Sequence, residues 1–98
     1  RLGLEPQSFE NSARLAAGQC WSMTRYGPFG GVGPQSPSDK GYEGGFGCAL
    51  MVKDLRLAME AAGTSGANTP LGKHSTEMYE ALAEGNGGLD FSAIIKTL

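Results

Sequence analysis

Strand-like alternation, long apolar runs, a surplus of charge of either sign and clusters of metal-binding side chains are all missing from this chain. Each absence excludes something. No apolar run approaches the roughly 18 residues that a bilayer-spanning helix needs, so a membrane-spanning helix is not expected. A net charge of −2 leaves no basic footprint for nucleic acid or an anionic membrane surface. The only cysteines, Cys20 and Cys48, are too few for a disulfide framework, and the single His74 does not complete a zinc site with them. Free thiols and no metal are therefore expected. Burial is the ordinary fate of such a thiol, with a reactive Cys20 beside Trp21 as the sharper alternative.

The chain is rich in glycine, with 16 in 98 residues, and its 40% apolar fraction suffices for one small domain with a modest core. Residues 1–5, Arg1-Leu2-Gly3-Leu4-Glu5, read as the tail of an upstream helix. Pro6 suits the first position of a helix with Phe9, Ala13, Ala16 and Ala17 on an apolar face and Leu15 beside it. Glu5, Gln7, Glu10 and Arg14 form its polar side, and Gly18 is the stop. Over residues 18–45 no period survives. Pro28, Pro34, Pro37 and the cluster Gly30-Gly31-Val32-Gly33 mark a long loop, while Trp21, Tyr26, Phe29 and Tyr42 supply area to pack it down, so an ordered excursion is expected. The glycine cluster follows no predicted strand and opens no helix, which excludes a phosphate-binding loop.

Residues 44–60 organise the rest. Gly44-Gly45-Phe46-Gly47 leads into a helix predicted over 46–62 and stopped by Gly63. On it Phe46, Leu50, Lys53, Leu57 and Glu60 recur at helical spacing and share a face. Asp54 lies roughly 100° further round, so each charge is expected to find a partner other than its neighbour. Two readings of Lys53 stay open: a stem covering apolar surface with its ammonium in water, or a ligand contact beside a glycine-flanked aromatic. A helix over 69–85 follows, with Thr69 as N-cap, Pro70 at its first position and Leu71, Ser75, Met78 and Leu82 on its apolar side. His74 falls in its first turn as a half-exposed packing residue. Asn86-Gly87-Gly88 breaks the chain, and Asp90 caps a last short helix with Phe91, Ile94, Ile95 and Leu98 turned inward. The predicted fold class is all-α, four helices and one long loop.

Lys53-Asp54-Leu55-Arg56-Leu57-Ala58-Met59-Glu60 resembles the K-D-L-G-x-A-x-D motif on the cofactor side of the beta-hydroxyacid dehydrogenase family. Arg56 replaces the motif's glycine and Glu60 its last aspartate. Gly18-Gln19-Cys20-Trp21, Tyr42-Glu43-Gly44-Gly45-Phe46 and Asp90-Phe91-Ser92-Ala93 are similar to further segments of the family, in the same order.

The resemblance implies a partial C-terminal helical domain, over residues 1–98, of a 6-phosphogluconate-dehydrogenase-like two-domain enzyme. The N-terminal Rossmann domain and the catalytic-lysine helix would lie upstream. It places Phe46 near nicotinamide and substrate, Lys53 on the cofactor side and Asp54 on the active-site wall, with no catalytic residue in this stretch. It further implies NAD or NADP as cofactor, a small 3-hydroxy acid as substrate, and the chain's own N-terminal domain and other copies of itself as partners. The compartment would be the mitochondrial matrix in a eukaryote and the cytoplasm otherwise. The stretch alone is expected to be inactive. Two alternatives stand beside this: a related reductase acting on tartronate semialdehyde or glyoxylate, and a helical interaction module with Phe46, Leu50 and Leu57 as its groove.

Overall fold

The computed structural model describes residues 2–98; Arg1 lies outside the described residues. The predicted helical tail over 1–5 is not seen from residue 2 on, where Gly3 takes a φ of +83° and no helix forms. Four α-helices follow: α1 (Pro6–Arg14), α2 (Trp21–Arg25), α3 (Cys48–Ser65) and α4 (Pro70–Asn86), with 3₁₀ turns at Pro37–Lys40 and Phe91–Thr97. Among the described residues there is no strand, only one isolated antiparallel bridge between Gly47 and Asp90. The all-helical class is as the sequence predicts, although the set of four is not.

In α1, Pro6 takes the first position and Glu5 caps it, accepting from the N–H groups of Gln7 and Ser8. The helix ends at Arg14, short of Gly18, because Ala16 N–H bonds Ala13 O at 3.2 Å and turns the chain. Its two faces do not divide as predicted, although Ala13 of the apolar side is half-buried and Glu5 of the polar side is exposed. Phe9 and Leu15 are exposed and Glu10 is buried, its carboxylate beside Arg14 Nε at 3.3 Å and taking a 3.3 Å bond from the Gln7 amide.

The long loop is ordered, as its aromatics require. α2 forms within it, capped by the exposed Cys20, whose sulfur accepts from Met23 N–H. Burial, the ordinary reading, therefore holds for Cys48 and fails for Cys20. Asp39 pins the loop by accepting from Gly31 N–H at 2.6 Å and Ser36 N–H at 2.8 Å, and these bonds hold its carboxyl below the usual carboxylate range. Gly33 N–H goes to Gln7 Oε1 at 3.0 Å. The N–H groups of Gly31 and Gly33 in this glycine cluster are thus bound internally.

α3 begins two residues later and ends later than predicted. Gly63 continues the helix, and the turn comes at Gly66, whose φ of +71° suits a residue without Cβ. α3 and α4 pack together as the main helix pair. The predicted stripe of α3 faces outward: Leu50 is 51% and Leu57 58% exposed. The sides in contact carry Cys48, Val52 and Leu82 instead. Arg56 does not obstruct this packing, since its guanidinium reaches across to Glu80 of α4, Nε to Oε1 at 2.6 Å.

In α4, Thr69 holds the N-cap position, but its hydroxyl donates to Met59 Sδ at 3.7 Å and does not cap. Leu71 and His74 are exposed, Thr76 and Leu82 are buried, and the helix kinks at Gly85, φ +124°. The last element is a 3₁₀ turn, not an α-helix. Asp90 caps it as predicted, while Ser92 and Ala93 are its buried residues and Leu98 is exposed.

The core is small. Cys48, Leu82 and Ala93 form it, with Tyr42, Tyr79, Ala83, Leu89 and Ile94 packed around them. The chain exposes 6613 Å², against about 5,300 Å² for a compact monomer of this length. Its radius of gyration is 15.0 Å, where about 12.6 Å is usual.

Candidate functional site at the start of helix α3

Gly47 has no side chain with which to cap α3, yet the helix's first N–H groups are satisfied. Cys48 N–H bonds Leu89 O at 2.7 Å and Ala49 N–H bonds Gly87 O at 3.0 Å. The segment after α4 thus serves as the cap of α3. Phe46, immediately before it, is held on both sides of its backbone. Its N–H donates to Asp90 Oδ1 at 2.8 Å, and its carbonyl accepts from Phe91 N–H at 2.7 Å.

Asp90 is fully buried and joins three segments. Oδ1 takes Phe46 N–H; Oδ2 takes the N–H and the hydroxyl of Ser92; its own N–H goes to Tyr42 O at 2.8 Å. Tyr42 has a φ of +66°, uncommon for a residue with a Cβ, and is anchored by its hydroxyl on Pro28 O and by Lys96, whose ammonium lies 4.5 Å from the ring centroid. Burial pushes the Cys48 thiol up, with the Asp90 carboxylate adding to the effect. Burial likewise raises Tyr79, followed by the influence of Cys48 and Asp90.

An aromatic chain runs from this junction. Phe46 meets Phe91 edge-on with centroids 6.2 Å apart, Phe91 lies 4.9 Å from Tyr26, and Tyr26 lies 4.9 Å from Trp21. Beside it a cavity of about 440 Å³ is lined by Trp21, Arg25, Tyr26, Lys40, Gly44 and Gly45 among others.

Lys53 and Asp54 are both exposed on α3 and pair with each other, Nζ to Oδ1 at 2.7 Å. This corrects the expectation that each finds a separate partner: the long lysine stem bends round the helix to its neighbour. Such an exposed pair adds little stability. It brings together two of the three predicted site residues. Phe46 stands apart, about two turns upstream, and neither charge bonds to it. Asp90's reach to Phe46 was not predicted. Its sequence signal is limited to a carboxylate two residues before Ser92, which predicts a cap and says nothing of a partner 44 residues away.

The chemistry of Lys53 and Phe46 is of a kind that a nicotinamide dinucleotide can use. Lys53 keeps donors free beyond the single oxygen of Asp54, at an open surface where a polar group of a ligand can reach it. Phe46 offers a half-buried ring, and a Cβ at Gly44 would meet nothing within 4 Å, so a flat group can approach that backbone.

Known proteins resemble the whole chain. Residues 1–98 match the family model described as NAD-binding of NADP-dependent 3-hydroxyisobutyrate dehydrogenase. The probable 3-hydroxyisobutyrate dehydrogenase of Mycobacterium tuberculosis is 43% identical over 98 residues, covering 100% of this chain and 33% of its own. The mitochondrial 3-hydroxyisobutyrate dehydrogenase of Bos taurus is 37% identical over 99 residues, covering 100% of this chain and 30% of its own. The solved M. tuberculosis enzyme with L-serine superposes with a TM-score of 0.93 at 43% identity, over 98% of this chain and 33% of that one. The chain thus spans about a third of the length of these relatives. It belongs to the 3-hydroxyisobutyrate dehydrogenase family, as an NAD-binding domain of that family whose cofactor is NAD or NADP.

Proposed function

We propose that this chain is the C-terminal helical part of a 3-hydroxyisobutyrate dehydrogenase and forms the cofactor-side wall of its cleft. The parent enzyme oxidises 3-hydroxyisobutyrate to methylmalonate semialdehyde, a step of valine breakdown. The observation that carries this reading is the strapped Phe46 at the mouth of α3, with the exposed Lys53–Asp54 pair on the surface of the same helix. When bound, NAD or NADP accepts the hydride released from C3 of the substrate. Phe46 presents its ring to the nicotinamide and substrate, Lys53 meets the cofactor's polar groups as a compact charge, and Asp54 fixes the direction of that ammonium. The catalytic lysine belongs to the upstream part of the parent and is not Lys53.

The large exposed surface and the outward Leu50 and Leu57 support a stretch completed by more polypeptide. The same features also suit the interaction-module alternative with Phe46, Leu50 and Leu57 as its groove, in which Lys53 has no role. Tartronate semialdehyde or glyoxylate as substrate is the alternative to this proposal; a homo-oligomeric assembly and a mitochondrial matrix location in a eukaryotic source belong to it. The test is turnover, followed by the absorbance of reduced nicotinamide. The full-length parent should oxidise 3-hydroxyisobutyrate, and the 98-residue chain should not. Turnover by the chain alone, or a parent inactive on this substrate, contradicts the proposal.

A further inference from the structure

We infer that Asp90 is a positioning residue for the cofactor site, acting through the backbone of Phe46; the inference rests on the reading of Phe46 as a cofactor-wall residue. Capping the Phe91–Thr97 turn needs one carboxylate oxygen, Oδ2, which accepts from Ser92 N–H at 3.0 Å. The other oxygen, Oδ1, does something a cap does not require: it holds Phe46 N–H at 2.8 Å, 44 residues away in sequence.

Phe46 needs such a tether. It is flanked by Gly44 and Gly45 at φ +76° and +69° and followed by Gly47, a segment with little conformational preference of its own. A Cβ on Gly45 would land on Asp90 Oδ1 and lie 2.9 Å from Pro37 Cγ, so the carboxylate also requires glycine there. Full burial makes the acceptor effective, since no water competes for it and an unpaired carboxylate in that place is disfavoured. The ring of Phe46 is set by this strap and by its edge contact with Phe91, whose own N–H holds the Phe46 carbonyl at 2.7 Å. Asp90 bonds the backbone of Phe46 and not its ring. It decides where the ring stands.

The experiment uses the full-length parent with Asp90→Asn, Gly45→Ala, Ser92→Ala and Phe46→Ala. Two readouts are taken: hydrogen exchange at the Phe46 amide, and the dissociation constant of the reduced cofactor from its fluorescence. A carboxamide has an acceptor at only one of the two positions that hold Phe46 N–H and Ser92 N–H, and the Gly45→Ala methyl displaces the same oxygen by another route. At least one of these two variants should therefore free the Phe46 amide, and whichever frees it should weaken the cofactor about fivefold or more, a part of the roughly tenfold or greater worth of one hydrogen bond to a charged group.

Ser92→Ala removes only a bond on the opposite oxygen and should leave both readouts near wild type, whatever it does to thermal stability. A freed Phe46 amide with unchanged cofactor affinity overturns the inference. So does an amide protected in both variants, or a Ser92→Ala loss of affinity equal to theirs. If Phe46→Ala itself leaves affinity unmoved, the cofactor-wall reading fails and the inference with it. A weakened Phe46→Ala beside unaffected Asp90→Asn and Gly45→Ala sinks the positioning role alone.

Discussion

Asp90 Oδ1 accepts the backbone N–H of Phe46 at 2.8 Å across 44 residues of sequence, and this bond joins the C-terminal turn to the mouth of α3. Around it, Tyr42, Cys48 and Leu89 are tied to the same junction by backbone bonds of 2.7 to 2.8 Å. The glycines of this segment differ accordingly in what they tolerate.

Gly45→Ala should destabilise the full-length protein by about 2–4 kcal/mol, from the left-handed backbone and the overlap with Asp90 together. Gly44→Ala meets no atom within 4 Å and should cost about 1–2 kcal/mol from the backbone alone. Urea unfolding of the two variants checks this, and equal losses would count against the packing described.

The junction should also make the fold sensitive to alkali. Cys48 and Tyr79 are acids whose folded-state pKa values are raised, so below their ordinary values both states keep the protons and the contribution to stability is complete. As pH rises past about 8.5, the ordinary thiol value, the unfolded chain releases a proton that the folded chain retains, and stability falls. Cys48→Ala should make the first part of that decline shallower. A denaturation midpoint flat to about pH 10 in the unmodified protein would contradict it.

The isolated 98-residue chain should bind a dye that reports exposed apolar surface, or self-associate, because Leu50, Leu57 and Leu71 stand uncovered on its helices. The full-length parent should do so much less. Equal dye binding would mean that these residues are left open in the parent as well.

Much of this fold is legible in the sequence where one residue decides a local event. Pro6 and Pro70 start helices, Gly85 and the glycines after it end one, and Asp90 caps a turn. Faces were harder to read. Periodicity places Leu50, Lys53 and Leu57 together but does not say which face meets α4; the covered side is the charge-free run Cys48, Val52, Leu55, Met59 and Ala62 at the same spacing, and Leu50 and Leu57 are left open. The same holds for Phe9 and Glu10 of α1. α2 was hidden because five residues are too few to show a period, and its cap is a cysteine sulfur, outside the usual capping set. Lys53 and Asp54 could be named from the motif. Their mutual pairing could not, since helical geometry sets Cα directions and not the bend of a flexible stem. Asp90's second bond depends on tertiary structure throughout, and no local pattern encodes it.

The most direct test of the account is the kinetics of Lys53→Ala in the full-length parent. Lys53 takes little part in folding, being exposed and paired only with its neighbour, so the variant should keep its stability. The KM for NAD or NADP should rise about tenfold with kcat largely kept, the signature of a lost binding contact on the cofactor side. An unchanged KM with an unchanged kcat would contradict the assignment of this helix to the cofactor wall.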